Sequence, residues 1–152
     1  MGLDMYLTKK TYIGAEYEHR DVKAKVEITI GGKVANIDPT KISSIAERVG
    51  YWRKANAIHN WFVTNVQDGV DECQEVEVSK EQLITLRDEC EKILEFKDKA
   101  NEILPTSEGF FFGGTDYDEY YFQDIEYTFD ILNEILDVDF DYETSFYYQS
   151  SW

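Results

Sequence analysis

Tyr51-Trp-Arg-Lys-Ala-Asn-Ala-Ile-His-Asn-Trp-Phe-Val-Thr-Asn-Val66 is the stretch on which the reading of the fold turns. Tyr51, Ala55, Ile58, Phe62 and Val66 recur at steps of three and four, and Trp52, His59 and Val63 widen that stripe. The spacing predicts a helix of about four turns at the centre of the molecule. Arg53, Asn56, Asn60 and Thr64 fall on its other side as a row of hydrogen-bond donors.

Outward from that helix the chain reads as alternating strands and helices. Leu3, Met5 and Leu7 alternate with Asp4, Tyr6 and Thr8, a first strand. Asp4 suits an edge strand facing water, or else a cleft. Residues 10–21 read as a loop or an irregular strand pair that bends at Gly14. Val22, Ala24, Val26, Ile28 and Ile30 then alternate with Lys23, Lys25, Glu27 and Thr29, which predicts a half-buried strand. Gly31-Gly32 allows a tight hairpin back through Lys33–Ile37. Asp38-Pro39 starts a short helix whose apolar face is Ile42, Ile45, Ala46 and Val49, ending near Gly50.

Beyond Val66, Gln67-Asp-Gly69 stops the central helix, and Val76–Val78 suits a short strand. Ser79-Lys-Glu-Gln82 is a capping box, and Leu83, Leu86, Cys90, Ile93, Leu94, Ala100, Ile103 and Leu104 carry a third helix to Pro105. Glu108–Thr115 holds three rings between glycines, part of which either folds under the domain or waits for a partner. Thr115 or Asp116 can cap a fourth helix with the stripe Tyr121, Ile125, Thr128, Phe129, Leu132, Ile135 and Leu136. Ser145–Trp152 is β-prone and can add a strand to the N-terminal sheet, with the terminal Trp docked. The whole is expected to be one α+β domain over residues 1–152. Its small antiparallel sheet of N-terminal strands, with the C-terminal strand as a possible addition, packs on three to four helices.

Charge and cysteine content narrow the function. Residues 1–99 hold all 15 Lys and Arg against 18 Asp and Glu, whereas residues 100–152 hold 13 acids and no base, within a net charge of −16. Such a distribution opposes direct nucleic-acid binding, which needs cations against phosphate, and favours a basic partner. No apolar run reaches the roughly 18 residues of a membrane span, and the N-terminus lacks the regions of a signal peptide, so a cytoplasmic protein is expected. Tyr6 stands where myristoylation wants Ser or Thr. Cys73 and Cys90 have no second Cys or His at ligand spacing and read as free thiols.

Three site readings follow. For catalysis the chain offers only Asp4, His19 and His59, at no motif spacing, and no catalytic residue, metal or cofactor is expected. For a small ligand such as a nucleotide signal, Trp52 or Trp61, with Tyr117, the Phe110–Phe112 loop and Trp152, can stack on a ring. Arg53, Asn56, His59 and Asn60, or His19-Arg20, would then read its polar edges. For a protein partner, Asp116, Asp118, Glu119, Asp124, Glu126, Asp130, Glu134, Asp137, Asp139, Asp141 and Glu143 alternate with Tyr117, Tyr120, Tyr127, Phe140 and Tyr142. Anionic groups around buriable rings make an interface able to copy the phosphates of a nucleic acid.

Gly2-Leu-Asp-Met-Tyr-Leu7, Tyr51–Val63, Gly109-Phe-Phe-Phe-Gly-Gly-Thr-Asp-Tyr-Asp118 and Phe146-Tyr-Tyr-Gln-Ser-Ser-Trp152 resemble a family of small proteins encoded in bacteriophages and prophages. The resemblance implies a phage-type accessory protein in a bacterial cytoplasm, for which antagonism of a host defence is a common role. It brings no catalytic residues with it. The expected function is therefore a non-enzymatic inhibitor of a basic, nucleic-acid-handling host protein, with homo-oligomerisation open.

Overall fold

The computed structural model describes residues 2–14, 26–138 and 143–152. A four-stranded antiparallel sheet lies under a layer of helices, which makes the fold α+β. Its strands are β1 (Asp4–Tyr12), β4 (Ser44–Arg53), β5 (Val76–Val78) and β6 (Thr144–Ser151), in the order β4-β1-β6-β5. The C-terminal strand thus does more than extend the sheet. It occupies the slot between β1 and β5, pairing Met5 with Ser150, Leu7 with Tyr148 and Val76 with Tyr148. β1 is consequently an interior strand, which corrects the edge reading of Asp4. That residue sits on the face away from the helices and accepts the Tyr51 hydroxyl proton.

The chief correction concerns the opening stretch. Tyr51, Trp52 and Arg53 end β4, whose pairing sets Trp52 opposite Met5 and Gly50 opposite Leu7. Only Asn56–Asn65 is helical, and forms α1. Lys54 turns the chain between them at φ 61°, its amide donating to the Leu3 carbonyl at 2.8 Å. Asp38 does cap a turn of 3-10 helix (Pro39–Lys41), its side chain accepting from the Thr40 amide at 3.0 Å, but the helix expected to continue from there is strand from Ser44 onward. β-Branched and aromatic side chains lie well on a pleated surface, and the ladder to β1 satisfies every second backbone group, so tertiary pairing outweighs a helical period. Gly50 is needed here. A Cβ on it would lie 2.8 Å from the Trp52 ring and 2.9 Å from Ile131 Cδ1, so a larger residue would push β4 off the helix above it.

The Gly31-Gly32 turn forms, with φ of 59° and 76° at the two glycines, but the strands it joins are shorter than expected: β2 (Thr29–Ile30) and β3 (Lys33–Val34), with residues 26–28 and 35–37 outside any strand. It is a separate two-stranded sheet. Ile30 and Val34 are exposed rather than half-buried, because neither strand joins the main sheet. Val22 to Lys25 of the expected strand lie outside the described residues.

Ser79 and Gln82 form the expected capping box at the start of α2 (Lys80–Glu95), each side chain bonded to the other's backbone amide. The helix stops at Phe96, and a 3-10 turn (Lys97–Lys99) leads into the short α3 (Ala100–Ile103). Leu83, Leu86, Cys90, Ile93, Ala100 and Leu104 are all buried. The last helix, α4 (Glu119–Leu136), is capped by Asp118 rather than by Thr115 or Asp116. The Asp118 side chain accepts from the Tyr121 amide at 3.1 Å. We expect Asp118→Ala to cost about 1 kcal/mol, read as a lower urea midpoint at unchanged slope. The core lies between Leu3, Met5, Leu7, Trp52, Phe146 and Tyr148 on the sheet and Ile58, Phe62, Leu83, Leu86, Ile125 and Leu132 on the helices. Phe62 and Tyr148 stack across that boundary with centroids 3.9 Å apart and planes 7° from parallel. Cys73 and Cys90 are free thiols. Among the described residues no helix is long and apolar enough to cross a membrane.

Candidate functional site

The acids of the C-terminal third are sorted by the period of α4. At about 100° per residue, Glu119, Gln123, Glu126, Asp130, Glu134 and Asp137 fall within an arc of about 80°, opposite buried Tyr121, Ile125, Thr128 and Leu132. All six are exposed, making a ridge roughly 27 Å long at about 1.5 Å per residue. Among the described residues, none of its carboxylates is ion-paired with a Lys or Arg. Tyr120, 75% exposed, flanks the ridge. Tyr127 is a seam residue: its hydroxyl accepts from the Tyr51 amide at 3.3 Å and its ring meets Trp52 edge-on, leaving 40% exposed. Asp139, Phe140, Asp141 and Tyr142 lie outside the described residues, as do His19 and Arg20.

Asp124 belongs elsewhere. It turns with Asp116 and Asp118 into a cleft of about 320 Å³ between the first turns of α1 and α4, whose lining also includes Arg53 and Lys54. Burial, and then the charge of Asp118, push its carboxyl up to about 6. The cleft is held open by Asn56. Its amide donates to the Phe112 and Gly114 carbonyls at 3.0 and 2.7 Å and its oxygen accepts from the Ser107 amide at 3.0 Å, pinning the 107–114 loop across the start of α1. Gly113, at φ 85°, passes so close to Lys54 that a Cβ there would lie 3.1 Å from the Lys54 Cβ.

The residues expected to enclose a planar ligand are not brought together. Arg53 and Asn56 line the cleft, but Trp52 is 2% exposed and donates its indole N–H into the core. Asn60 is half-buried on α1, and the Tyr117 hydroxyl is taken by the Thr106 amide. Trp61 is buried. In the ring loop Phe110 is 95% exposed while Phe111 and Phe112 are half-buried.

His59 and Trp152 lead to a network that sequence reasoning missed. Asp71 accepts from His59 Nε2 at 2.9 Å, from the Ser150 hydroxyl at 3.1 Å and from the Trp152 indole at 2.8 Å. Because a carboxylate only accepts, Nε2 carries the proton and Nδ1 accepts from the Tyr148 hydroxyl at 2.8 Å. Burial lowers the pKa of His59, with the Asp71 charge opposing, so the neutral ring is favoured. The network ties the C-terminal strand to the 67–75 loop. It also separates the Asp4 and His59 named for catalysis, since Asp4 lies on the far face of the sheet and the His59 side chain is 2% exposed. No family model, curated protein or solved structure matches the chain.

Proposed function

We propose that the protein is a non-enzymatic, phage-type accessory protein of the bacterial cytoplasm. In this reading it inhibits a basic, nucleic-acid-handling host protein by offering the outward ridge of α4 in place of phosphates. The observation that carries this reading is the ridge's cost to its own helix. Glu126, Asp130 and Glu134 repeat at i, i+4 with no base between them, and Glu134 and Asp137 stand at the end where the helix dipole disfavours anions. Neither arrangement serves stability. A cationic groove would compensate both, and Tyr120 supplies a ring that can bury area beside the charges.

The test compares the wild-type chain with Glu119→Gln/Glu126→Gln/Asp130→Asn/Glu134→Gln as baits in bacterial lysate, with duplex DNA as competitor. Exposed ion pairs are each worth roughly 0.2–1 kcal/mol, so the variant should bind on the order of tenfold to a hundredfold more weakly. Its helix should be intact or slightly firmer. Capture should fall with salt and be reversed by DNA. Capture that ignores the four substitutions, or that DNA leaves untouched, refutes the reading.

A further inference from the structure

The helices pack on the side of the sheet that carries Leu3, Met5 and Leu7, and the alternate residues of each strand point away from them. On that far face the registers set Tyr51, Tyr6 and Gln149 on one rung and Arg48, Thr8 and Tyr147 on the next. Its long side chains are tied down. The Tyr6 and Tyr51 ring centroids are 5.6 Å apart, the Arg48 guanidinium covers Tyr6 at 4.5 Å, and Lys10 covers Tyr147 at 4.2 Å while bonding Glu75 at 2.6 Å. The Tyr51 hydroxyl donates to Asp4 at 2.5 Å. The face is nevertheless accessible: Arg48, Arg53 and Gln149 are exposed and Tyr51 is 41% exposed. Among the described residues neither arginine is ion-paired.

We propose that this face docks on the same face of a second copy, forming an isologous dimer whose two sheets pack face to face. Charge selects the occupant. On a chain of net charge −16, two copies repel wherever acids outnumber bases. Here Arg48, Arg53 and Lys10 stand against Asp4, Glu75 and Glu77, three bases to three acids, so like faces approach without net repulsion and the unpaired arginines can reach carboxylates of the other copy. Tyr and Arg are also the residue types that carry binding energy at interfaces, and side chains already held in place lose little rotamer freedom on docking. Single-stranded nucleic acid fits less well, because cations already cover the Tyr6 and Tyr147 faces on which bases would stack. A sheet about 19 Å wide and about 30 Å along β1 offers at most roughly 600 Å² per copy. That total of about 1,200 Å² is the lower end of stable interfaces, so a dissociation constant in the micromolar range is expected. The α4 ridge lies on the opposite side of the molecule, and the dimer leaves it free.

Sedimentation equilibrium of the intact chain, from low micromolar to several hundred micromolar, reads the assembly. Wild type should pass from monomer to dimer and no further, since an isologous contact closes. Arg48→Glu and Arg53→Glu, each at an exposed position, turn a balanced face into one with two acids in excess and should each weaken the dimer on the order of tenfold or more. Unchanged melting curves would certify both folds, and should one variant misfold the other decides. The four-substitution ridge variant should dimerise at least as tightly as wild type, because it lowers the net charge without touching the face. A chain monomeric throughout, a dimer that a folded arginine variant leaves intact, a dimer that the ridge variant abolishes, or growth beyond the dimer would each overturn the assignment. Failure here leaves the α4 reading standing.

Discussion

Trp52→Ala is expected to remove about 3–5 kcal/mol of stability, a fall in melting temperature on the order of 10 °C. Trp52 is 2% exposed and stands opposite Met5 where β4 meets α4. Its ring touches Phe62 and Tyr127, with centroids 6.1 and 6.0 Å away. Its indole N–H donates at 2.8 Å to the hydroxyl of Thr128, itself fully buried, which donates onward to the Asp124 carbonyl at 2.6 Å. Truncation therefore opens a cavity and strips a buried hydroxyl of its donor. Trp52→Phe keeps most of the area and loses only the indole bond, so it should cost less. Trp152→Ala, at a terminal residue 49% exposed, should cost about 1 kcal/mol through its single bond to Asp71. Equal melting points for the Trp52 and Trp152 variants would mean that the sheet–helix seam is not where the core sits.

That contrast also shows where reading the chain unaided succeeds. Strictly local signals held. The Leu3-Met5-Leu7 alternation, the glycine pair of the hairpin, the Ser79–Gln82 box and the α4 stripe each depend on residues within one or two turns. Tyr51 to Val66 misled because Tyr51, Ala55, Ile58 and Phe62 keep helical spacing across a strand, a left-handed Lys54 and a true helix. What decides between strand and helix there is the ladder to β1, a partner some forty residues away. The ridge was half legible for the same reason. Helical period alone places Glu119, Glu126, Asp130 and Glu134 together, and the same wheel would have turned Asp124 aside. The cleft was not legible, because Lys54 and the carboxylates come to line one cavity only once Asn56 reaches residues 51 to 58 positions away. No pattern in the sequence links Asp71 to His59, Ser150 and Trp152, which come from three separate elements of the chain.

Asp71→Ala should be the other large loss, roughly 3 kcal/mol, although the residue is no part of the apolar core. Three donors converge on its carboxylate, and two of them, His59 and Ser150, are at most 2% exposed, so removal leaves buried N–H and O–H groups without an acceptor. Asp71→Asn should be milder. The imidazole can then move its proton to Nδ1, donate to the Tyr148 oxygen and accept from the new amide at Nε2. The pH dependence separates this network from ordinary packing. His59 has a folded-state pKa below its unfolded value of about 6.5, so the unfolded chain binds more protons in that interval. Its contribution is present above about pH 6.5 and is lost as pH falls below it. Asp124 runs the other way. With its folded pKa near 6 against 3.8, it favours the fold at low pH and loses that contribution as pH rises through about 6. The two cancel in part in wild type, whereas in Asp124→Asn only the Glu89 carboxyl, itself raised by burial, still opposes the histidine, and stability should climb more steeply from pH 5 to 7 than in wild type. Adding Asp71→Ala removes the charge that supports the protonated ring, lowers its pKa further and steepens that climb. Melting curves of the single and double variants at pH 5, 6 and 7 decide the matter: a slope that Asp71→Ala leaves unchanged would detach His59 from the acid sensitivity of the fold.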